Sequence, residues 1–366
     1  MRRFAAVVVL TTLSLSQDVY ASRFSLGVSR DKYGESVAND MNNAGQVALI
    51  VRDKDGTPHA AFFERGKVSL LETGGEIASE ANRINRFGEV IGSVQRDNSW
   101  QAVIFHQSQN PTMLGTLGGR SSHGLALNNA GEAVGFSDLA DGSWHAFLYR
   151  PGQGMRDLGT LGGNISYAVA MNDTGQVAGT SVTSGGYRHA FLYDPQKGMQ
   201  DLGTLGGRYS SANAINKHGV VAGMSEMPDR SKHAFVYDGK TMKDLGALIG
   251  YGDSVATGIN DEGHVVGIVD LEHIRLAFVW RDNKMLVHPS GKSLYLTNAI
   301  NNAGQVVGAV YDRGLEAAAM PSSTRPFVDH GGDTILWFNA AMAGLAGVLV
   351  FFRRRIAGFF KAQTTV

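Results

Sequence analysis

The sequence predicts an all-β fold, a seven-bladed β-propeller of four-stranded blades, and three observations lead to it. A short motif returns seven times at a nearly constant spacing, each repeat contains four strand-like segments, and glycine accounts for 47 of the 366 residues. A period near 44 residues is typical of propeller blades. Cysteine is absent, so packing and hydrogen bonds, and not disulfides, must hold the predicted fold together.

The repeated motif is Asn-x-x-Gly, and successive asparagines are 43, 43, 44, 44, 44 and 41 residues apart. The seven asparagines are Asn42, Asn85, Asn128, Asn172, Asn216, Asn260 and Asn301. An Asn side chain can bond its own backbone and Gly can adopt a positive φ, so the motif predicts a hairpin turn with a bulge. In each unit this turn joins the first strand to the second.

Four strands can be read in the unit at 168–205, with the segments AVAMN, QVAGTS, HAFLY and MQDLGTL. Apolar residues occupy consecutive positions of the third segment, which predicts a strand buried on both faces between neighbouring blades. The first segment is rich in small residues in every unit. Because a propeller is narrowest at its axis, we expect this strand to be the innermost.

The two ends of the repeat region complete each other. The seventh unit begins at Asn301 and lacks a fourth strand, while Phe24–Val28 matches the fourth-strand pattern. We therefore expect the N-terminal strand to close the last blade and remove the open sheet edges. The predicted propeller spans residues 22–320.

The N-terminal 21 residues have the pattern of a secretory signal peptide. Arg2 and Arg3 precede an apolar stretch from Phe4 to Leu15, and Ala21 ends an Ala-x-Ala-like cleavage site. These features predict export and cleavage after Ala21.

A single transmembrane helix is predicted at residues 334–352, because 19 largely apolar residues span about 28 Å. Three arginines begin the basic tail 353–366 and place it in the cytoplasm, with 321–333 as a polar stalk outside. The propeller would then lie in the cell envelope, in the periplasm or at the cell surface. A C-terminal sorting signal that is later removed is the alternative to a retained anchor.

Three units carry the triplet His-Ala-Phe, at His145–Phe147, His189–Phe191 and His233–Phe235, each followed by an Asp-Leu-Gly segment. With these motifs the chain resembles the bacterial extracellular HAF repeat family over about residues 24–320. The resemblance implies an exported repeat protein. It implies no settled activity and assigns no catalytic residue.

The composition and short motifs indicate no particular reaction, cofactor or charged partner. Lys plus Arg and Asp plus Glu both number 33, so no net charge favours nucleic acid as a partner. No hydrolase, zinc-protease or kinase motif is present, and the sequence predicts neither a cofactor nor a metal site. His59, His145, His189 and His233 recur in register, but equivalent residues of a propeller lie far apart, so each is expected to bond within its own blade.

The seven repeats differ most from one another in the loops that lead into the first strands and in those between the second and third strands. The candidate ligand-binding residues there are Arg120, His123, Asn164, Tyr167, Arg208, Tyr209, Tyr251, Asp253, Trp100 and Trp144, together with Ser122 and Tyr187. Aromatic and Arg side chains on variable loops are typical of recognition surfaces. The alternative is that they are ordinary loop residues whose rings pack between blades.

Two functions remain open from the sequence. The first is an exported, membrane-anchored binding or scaffold module that engages a protein, a glycan or a small ligand at the channel mouth. The second is an extracytoplasmic hydrolase or lyase with its site at the same mouth, since propellers can host such activities.

Overall fold

The computed structural model describes residues 24–26, 28, 32–75, 78–107, 109–246, 252–271, 274–287, 296–311 and 315–321. Within these ranges, no helix is long and apolar enough to cross a bilayer. The predicted signal peptide, transmembrane helix and basic tail lie outside the described residues. Of the predicted stalk only Pro321 is described, and it is the last residue of a strand.

The described strands follow one another in a regular order. They are β1 Phe24–Ser25, β2 Glu35–Met41, β3 Val47–Arg52, β4 Pro58–Glu64, β5 Lys67–Leu70, β6 Ser79–Ile84, β7 Val90–Arg96, β8 Ser99–His106, β9 Gln109–Met113, β10 Ser122–Leu127, β11 Ala133–Asp138, β12 Trp144–Arg150, β13 Gly154–Asp157, β14 Gly162–Met171, β15 Val177–Thr183, β16 Arg188–Asp194, β17 Gly198–Asp201, β18 Ser210–Ile215, β19 Val221–Glu226, β20 Lys232–Tyr237, β21 Met242–Asp244, β22 Asp253–Ile259, β23 Val265–Leu271, β24 Ile274–Arg281, β25 Lys284–Val287, β26 Leu296–Ile300, β27 Gln305–Tyr311 and β28 Leu315–Pro321.

These strands form a β-propeller with four-stranded blades, as the sequence predicts. Five sheets have four strands each, and one eight-stranded sheet contains β10–β13 and β14–β17, joined by a parallel pairing of Trp144 with Ile165. The N-terminal β1 pairs with β28, with Phe24 opposite Ala319. The N-terminal strand therefore adds to the sheet of the last repeat, although it is shorter than the predicted Phe24–Val28.

The first strand of each unit is innermost, which confirms the prediction from its small residues. Each first strand contacts the first strand of the next unit, and β26 contacts β2, so the circle closes. The third strands are buried on both sides as predicted. In β12, for example, Ala146, Phe147 and Leu148 are at most 1% exposed.

A glycine column in the second strands makes room for the phenylalanine of the His-Ala-Phe triplet. Gly179 is directly opposite Phe191, and a Cβ atom at Gly179 would meet both the Phe191 ring and the carbonyl oxygen of Tyr167. The same pairing joins Gly135 to Phe147. Each phenylalanine ring thus covers a glycine on the neighbouring strand, and both residues are required together.

Buried serines link neighbouring units at the end where the first strands begin. The backbone N–H of Ala146 donates to Ser166 Oγ of the next unit at 2.8 Å, and that hydroxyl donates to the carbonyl of Gly159 at 2.6 Å. The same link joins Ala190 to Ser210 at 2.8 Å. We call this end of the blades the upper face.

The Asn-x-x-Gly turns lie at the opposite end, which we call the lower face. Asn172 Oδ1 accepts from the N–H groups of Thr174 and Gln176, and Gly175 has a φ of 78°, as the predicted turn requires. The asparagines also link the units, which the turn motif did not predict. Among the described residues, five of the asparagines donate from Nδ2 to the carbonyl of the corresponding Asn in the next unit. Asn301 makes the sixth such bond, to the Asn42 carbonyl of the first unit.

Candidate functional site

The upper face carries the loops in which the sequence places the candidate ligand-binding residues. The loops that enter the first strands and those that leave the second strands meet there around the innermost strands. Three features of this face are built from identifiable side chains: an aromatic cluster, an exposed tyrosine patch and a polar trio at the channel mouth.

The aromatic cluster consists of Trp100, His123, Phe136, Trp144 and Tyr167 and joins three consecutive units. Phe136 is at its centre, with the His123 ring stacked at 4.7 Å, the Trp144 ring stacked at 5.4 Å and the Tyr167 ring edge-on at 5.4 Å between centroids. Trp100 lies 5.8 Å from His123. The structure thus brings together four of the predicted residues around Phe136, which the sequence reasoning missed because it belongs to a second strand and not to a loop.

The rings of the cluster differ in how much of each is exposed to solvent. Phe136 and Tyr167 are buried, whereas Trp100, Trp144 and His123 are half-buried. Of the predicted residues in the cluster, Tyr167 fits the alternative that the rings pack between blades. Two tryptophans and one histidine retain surface that a ligand can reach.

The tyrosine patch consists of Tyr187, Arg208 and Tyr209, at the seam between the fourth and fifth units. Tyr187 and Tyr209 are 39% and 44% exposed, and their rings meet edge-to-face at 6.1 Å. The Arg208 guanidinium lies 5.7 Å from the Tyr187 ring centroid, and its backbone N–H donates to Glu226 Oε2 at 2.7 Å. These contacts fix the patch as an exposed aromatic surface with a positive charge at its edge.

The remaining predicted residues are placed differently. Arg120 is exposed on the loop that enters β10, and Asn164 is exposed among the first residues of β14 itself. Asp253 Oδ1 accepts from the Lys232 backbone N–H at 2.9 Å, so it links two units and is already engaged. Ser122 is buried and serves in the serine links described above. Tyr251 lies outside the described residues.

The polar trio is Glu80, His123 and Tyr167. These residues occupy the same position of three consecutive innermost strands, opposite Ser93, Phe136 and Thr180 respectively. The corresponding position holds Val37, Ser211 and Val255 in three other units. Glu80 is the member that the sequence reasoning missed; aligning the first strands position by position would have shown it.

Burial shifts the pKa of all three groups. Desolvation raises the pKa of Glu80, and the Arg52 charge only partly opposes this. Desolvation lowers the pKa of His123 to about 4, so the imidazole is neutral at pH 7. Burial also raises the pKa of Tyr167. Among the described residues, none of the three side chains has a hydrogen-bond or ion-pair partner, and their polar atoms are not fully buried.

The recurring histidines bond within their own units, as predicted. His145 and His189 hold the carboxylates of Asp157 and Asp201 through Nδ1, each at 2.8 Å, and His233 holds Asp244 at 2.9 Å. These carboxylates belong to the fourth-strand segments. His59 differs, because its partner is Asp53 in the preceding turn at 3.1 Å.

The backbone under the aromatic cluster is reinforced. Trp144 of β12 pairs in parallel with Ile165 of β14, which joins two units into the eight-stranded sheet. β14 is ten residues long, and it begins at Gly162 whereas β10 and β18 begin at serines of the upper face. Side chains mounted on paired backbone are held in a fixed geometry, which lowers the entropic cost of binding.

Comparison with solved structures places the chain in the β-propeller fold. The β-propeller domain of the Trilobed protease from Pyrococcus furiosus matches with a TM-score of 0.56 at 10% identity, over 81% of this chain and 97% of that one. The acylaminoacyl peptidase of Pyrococcus horikoshii matches with a TM-score of 0.52 at 13% identity, over 81% of this chain. Its matched part is 52% of the peptidase, so the chain spans about half of that protein.

A third structure, YCF48 bound to D1 peptide, matches with a TM-score of 0.50 at 10% identity, over 84% of this chain and 99% of that one. At such identities the likeness shows the fold alone. No protein-family model and no curated protein matches the chain. The resemblance to HAF repeats therefore stays a prediction.

Proposed function

We propose that the chain is a binding module, with the upper face of its propeller as the recognition surface. The observation that supports this proposal most is the tyrosine patch, in which two exposed tyrosine rings and an Arg contact one another where two units meet. Tyr and Arg are enriched among residues that dominate binding energy. The reinforced aromatic cluster on the same face adds two half-buried tryptophans.

The fold proposed to carry this surface is a ring of seven blades closed by the N-terminal strand. Seven asparagines in register, the circle of contacting first strands and the pairing of β1 with β28 support this count. Pairing of β1 with β28 gives the last unit its fourth strand, so that the ring is closed. It also holds the upper-face loops at fixed distances from one another.

The chain is further proposed to act in the cell envelope, anchored by the predicted helix at residues 334–352. The direction of the end strands supports an outward-facing recognition surface. β28 ends at Pro321, opposite Gln305 and therefore at the lower face, and β1 runs antiparallel to β28. An anchor that follows β28 would thus lie on the lower side and leave the upper face turned away from the membrane.

The test compares two triple variants of the full chain on arrays of glycans and of synthetic peptides. Tyr187→Ala/Arg208→Ala/Tyr209→Ala removes the tyrosine patch. Gln196→Ala/Lys197→Ala/Lys240→Ala changes exposed residues of the lower-face turns and is the matched control. The proposal predicts array signals for the wild type that the patch variant loses by at least tenfold and the control retains.

Two results would contradict the proposal. One is the absence of any specific signal from the wild-type chain on both arrays. The other is a signal that only the lower-face variant loses, because the binding surface would then be on the wrong side. Circular dichroism of both variants establishes that they are folded, which is expected since all six side chains are exposed.

An extracytoplasmic hydrolase or lyase is a second candidate, and one observation favours it. Glu80 and His123 are neighbours in the polar trio, and their environments shift their pKa values in opposite directions. Such pairs are the usual components of general acid–base catalysis. Release of a product from an array-positive ligand, abolished in Glu80→Gln, would support this candidate; recovery of the intact ligand would exclude it.

A further inference from the structure

The polar trio offers hydrogen-bonding groups that the protein itself does not use. The side chains of Glu80, His123 and Tyr167 form no hydrogen bond with another described residue, and burial shifts the pKa of each. Three such groups at one position of three consecutive strands indicate a place where a ligand or ordered water completes the bonding.

The three groups lie on consecutive innermost strands that are tied to one another. The Gly124 N–H, next to His123, donates to Ser93 Oγ at 3.3 Å, and Ser93 is directly opposite Glu80. Asn82 Nδ2 donates to the Gly124 carbonyl at 2.7 Å. β10 in turn contacts β14, which carries Tyr167.

The chemistry of the trio is mixed in donors and acceptors. A carboxylate accepts, a phenol hydroxyl both donates and accepts, and a neutral imidazole donates from one nitrogen and accepts at the other. Such a set matches vicinal hydroxyl groups, each of which is also a donor and an acceptor. A strongly charged ligand fits less well, because the desolvation that keeps His123 neutral would also penalise the ligand charge.

An aromatic wall stands beside these groups. Trp100 is half-buried, and its ring lies 5.8 Å from the His123 ring. The apolar C–H face of a sugar ring can cover an indole, while its hydroxyls reach polar side chains at the edge. An aromatic body next to a few convergent polar groups is the general composition of a small-ligand site.

We propose that the polar trio and Trp100 form a saccharide-binding site at the channel mouth, which takes a neutral pyranose unit. This inference rests on the proposed function and specifies its ligand class. The sugar face lies against Trp100, and its hydroxyls bond Glu80, His123 and Tyr167. The tyrosine patch on the same face is the place where a longer glycan would continue.

The decisive variant is Tyr167→Phe, because it removes one hydroxyl and keeps the ring that packs on Phe136. Its matched control is Tyr193→Phe, a buried tyrosine of β16 in the same unit. Affinities are measured by calorimetry for the full chain in a detergent without a sugar headgroup. The probes are glucose, galactose, mannose and N-acetylglucosamine and their β-linked dimers.

The expected result is that the wild type binds at least one of these sugars and that Tyr167→Phe weakens that binding about three- to tenfold, the effect of one net hydrogen bond. Glu80→Ala should weaken it by tenfold or more, and Tyr193→Phe should leave it unchanged. Binding should also change the tryptophan emission of the wild type and not that of Trp100→Phe.

Three outcomes would overturn the inference. Sugar binding that Tyr167→Phe and Glu80→Ala both leave unchanged would place the sugar elsewhere. Array peptides that bind through the tyrosine patch, with no sugar bound, would reject the saccharide class and leave the proposed function intact. Absence of both sugar and peptide binding would reject the inference and the proposed function together.

Discussion

Replacing one asparagine of the lower-face ring should destabilise the whole propeller. Asn172 is 6% exposed. Its Oδ1 accepts from the N–H groups of Thr174 and Gln176 at 3.2 and 3.1 Å, and its Nδ2 donates to the Asn216 carbonyl of the next unit at 3.1 Å. Asn172→Ala leaves these three backbone groups without their partner. At about 1 kcal/mol each, the expected loss in the free energy of unfolding is about 3 kcal/mol.

The assay is equilibrium unfolding in urea, followed by tryptophan fluorescence and by circular dichroism. The control is Asn164→Ala, an exposed asparagine of the upper face, which should change stability by less than about 0.5 kcal/mol. If Asn172→Ala is as stable as this control, the asparagine ring does not hold the units together.

A second substitution separates the two roles of the side chain. Asn172→Asp keeps an oxygen for the Thr174 and Gln176 N–H groups but replaces the donor that faces the Asn216 carbonyl. It should therefore be destabilising at pH 7, and it should regain stability at a pH low enough to protonate the carboxyl, which can then donate. Equal stability of Asn172→Asp and wild type at pH 7 would show that only the local turn matters.

Three further predictions concern other parts of the fold. The pKa of His123 is about 4 in the folded state and about 6.5 in the unfolded state. Between these values only the unfolded state takes up the proton, so the free energy of unfolding falls as pH decreases from 6.5. His123→Phe keeps a stacked ring without this proton, and in urea titrations it should lose up to about 2 kcal/mol less stability than the wild type between pH 6.5 and 5. A variant that follows the wild-type pH profile would contradict the desolvation of this imidazole. Gly179→Ala should cost more than about 3 kcal/mol, or prevent folding, because its Cβ would meet the Phe191 ring and the Tyr167 carbonyl; a thermal midpoint equal to wild type would refute this. Asp201→Ala removes the acceptor of His189 Nδ1 and of the Gly203 N–H, both at 2.8 Å. Because the Asp201 side chain is 41% exposed, the substitution should lower the free energy of unfolding by only about 1 kcal/mol and leave array binding intact. Loss of binding would show that the His–Asp pairs are functional.

The repeat pattern predicted what lies within one unit. The strand order, the innermost position of the first strand, the buried third strand and the His–Asp pairs all follow from residues a few positions apart or on adjacent strands. The Asn-x-x-Gly turn was predicted for the same reason. Each of these features can be predicted from the residues of one repeat.

Contacts between units were harder to predict, because their partners are 20 or more residues apart in the sequence. The donation from Asn172 to Asn216 and the Ser166 link to Ala146 serve the ring and not the turn. Their small polar residues were interpreted as turn formers or as space savers at the axis. The regular column of serines was the available signal, since a purely steric requirement would accept alanine or glycine equally well.

The candidate site shows the same division. Trp100 and Trp144 could be chosen from variable loops, but Phe136, around which the rings pack, belongs to a second strand. Glu80 was missed because the candidate residues were chosen from the loops, whereas Glu80 lies within a first strand. A search for polar residues at one strand position across consecutive units would have found it.

The most direct test of the account is a comparison of the two faces by single fluorescent labels. The chain has no cysteine, so Asn164→Cys on the upper face and Gln196→Cys on the lower face each provide one attachment point for an environment-sensitive dye. The strongest binder from the glycan and peptide arrays is then titrated into each labelled protein. The account predicts a saturable emission change at position 164 and none at position 196; a change only at position 196, or equal changes at both, would contradict recognition through the upper face.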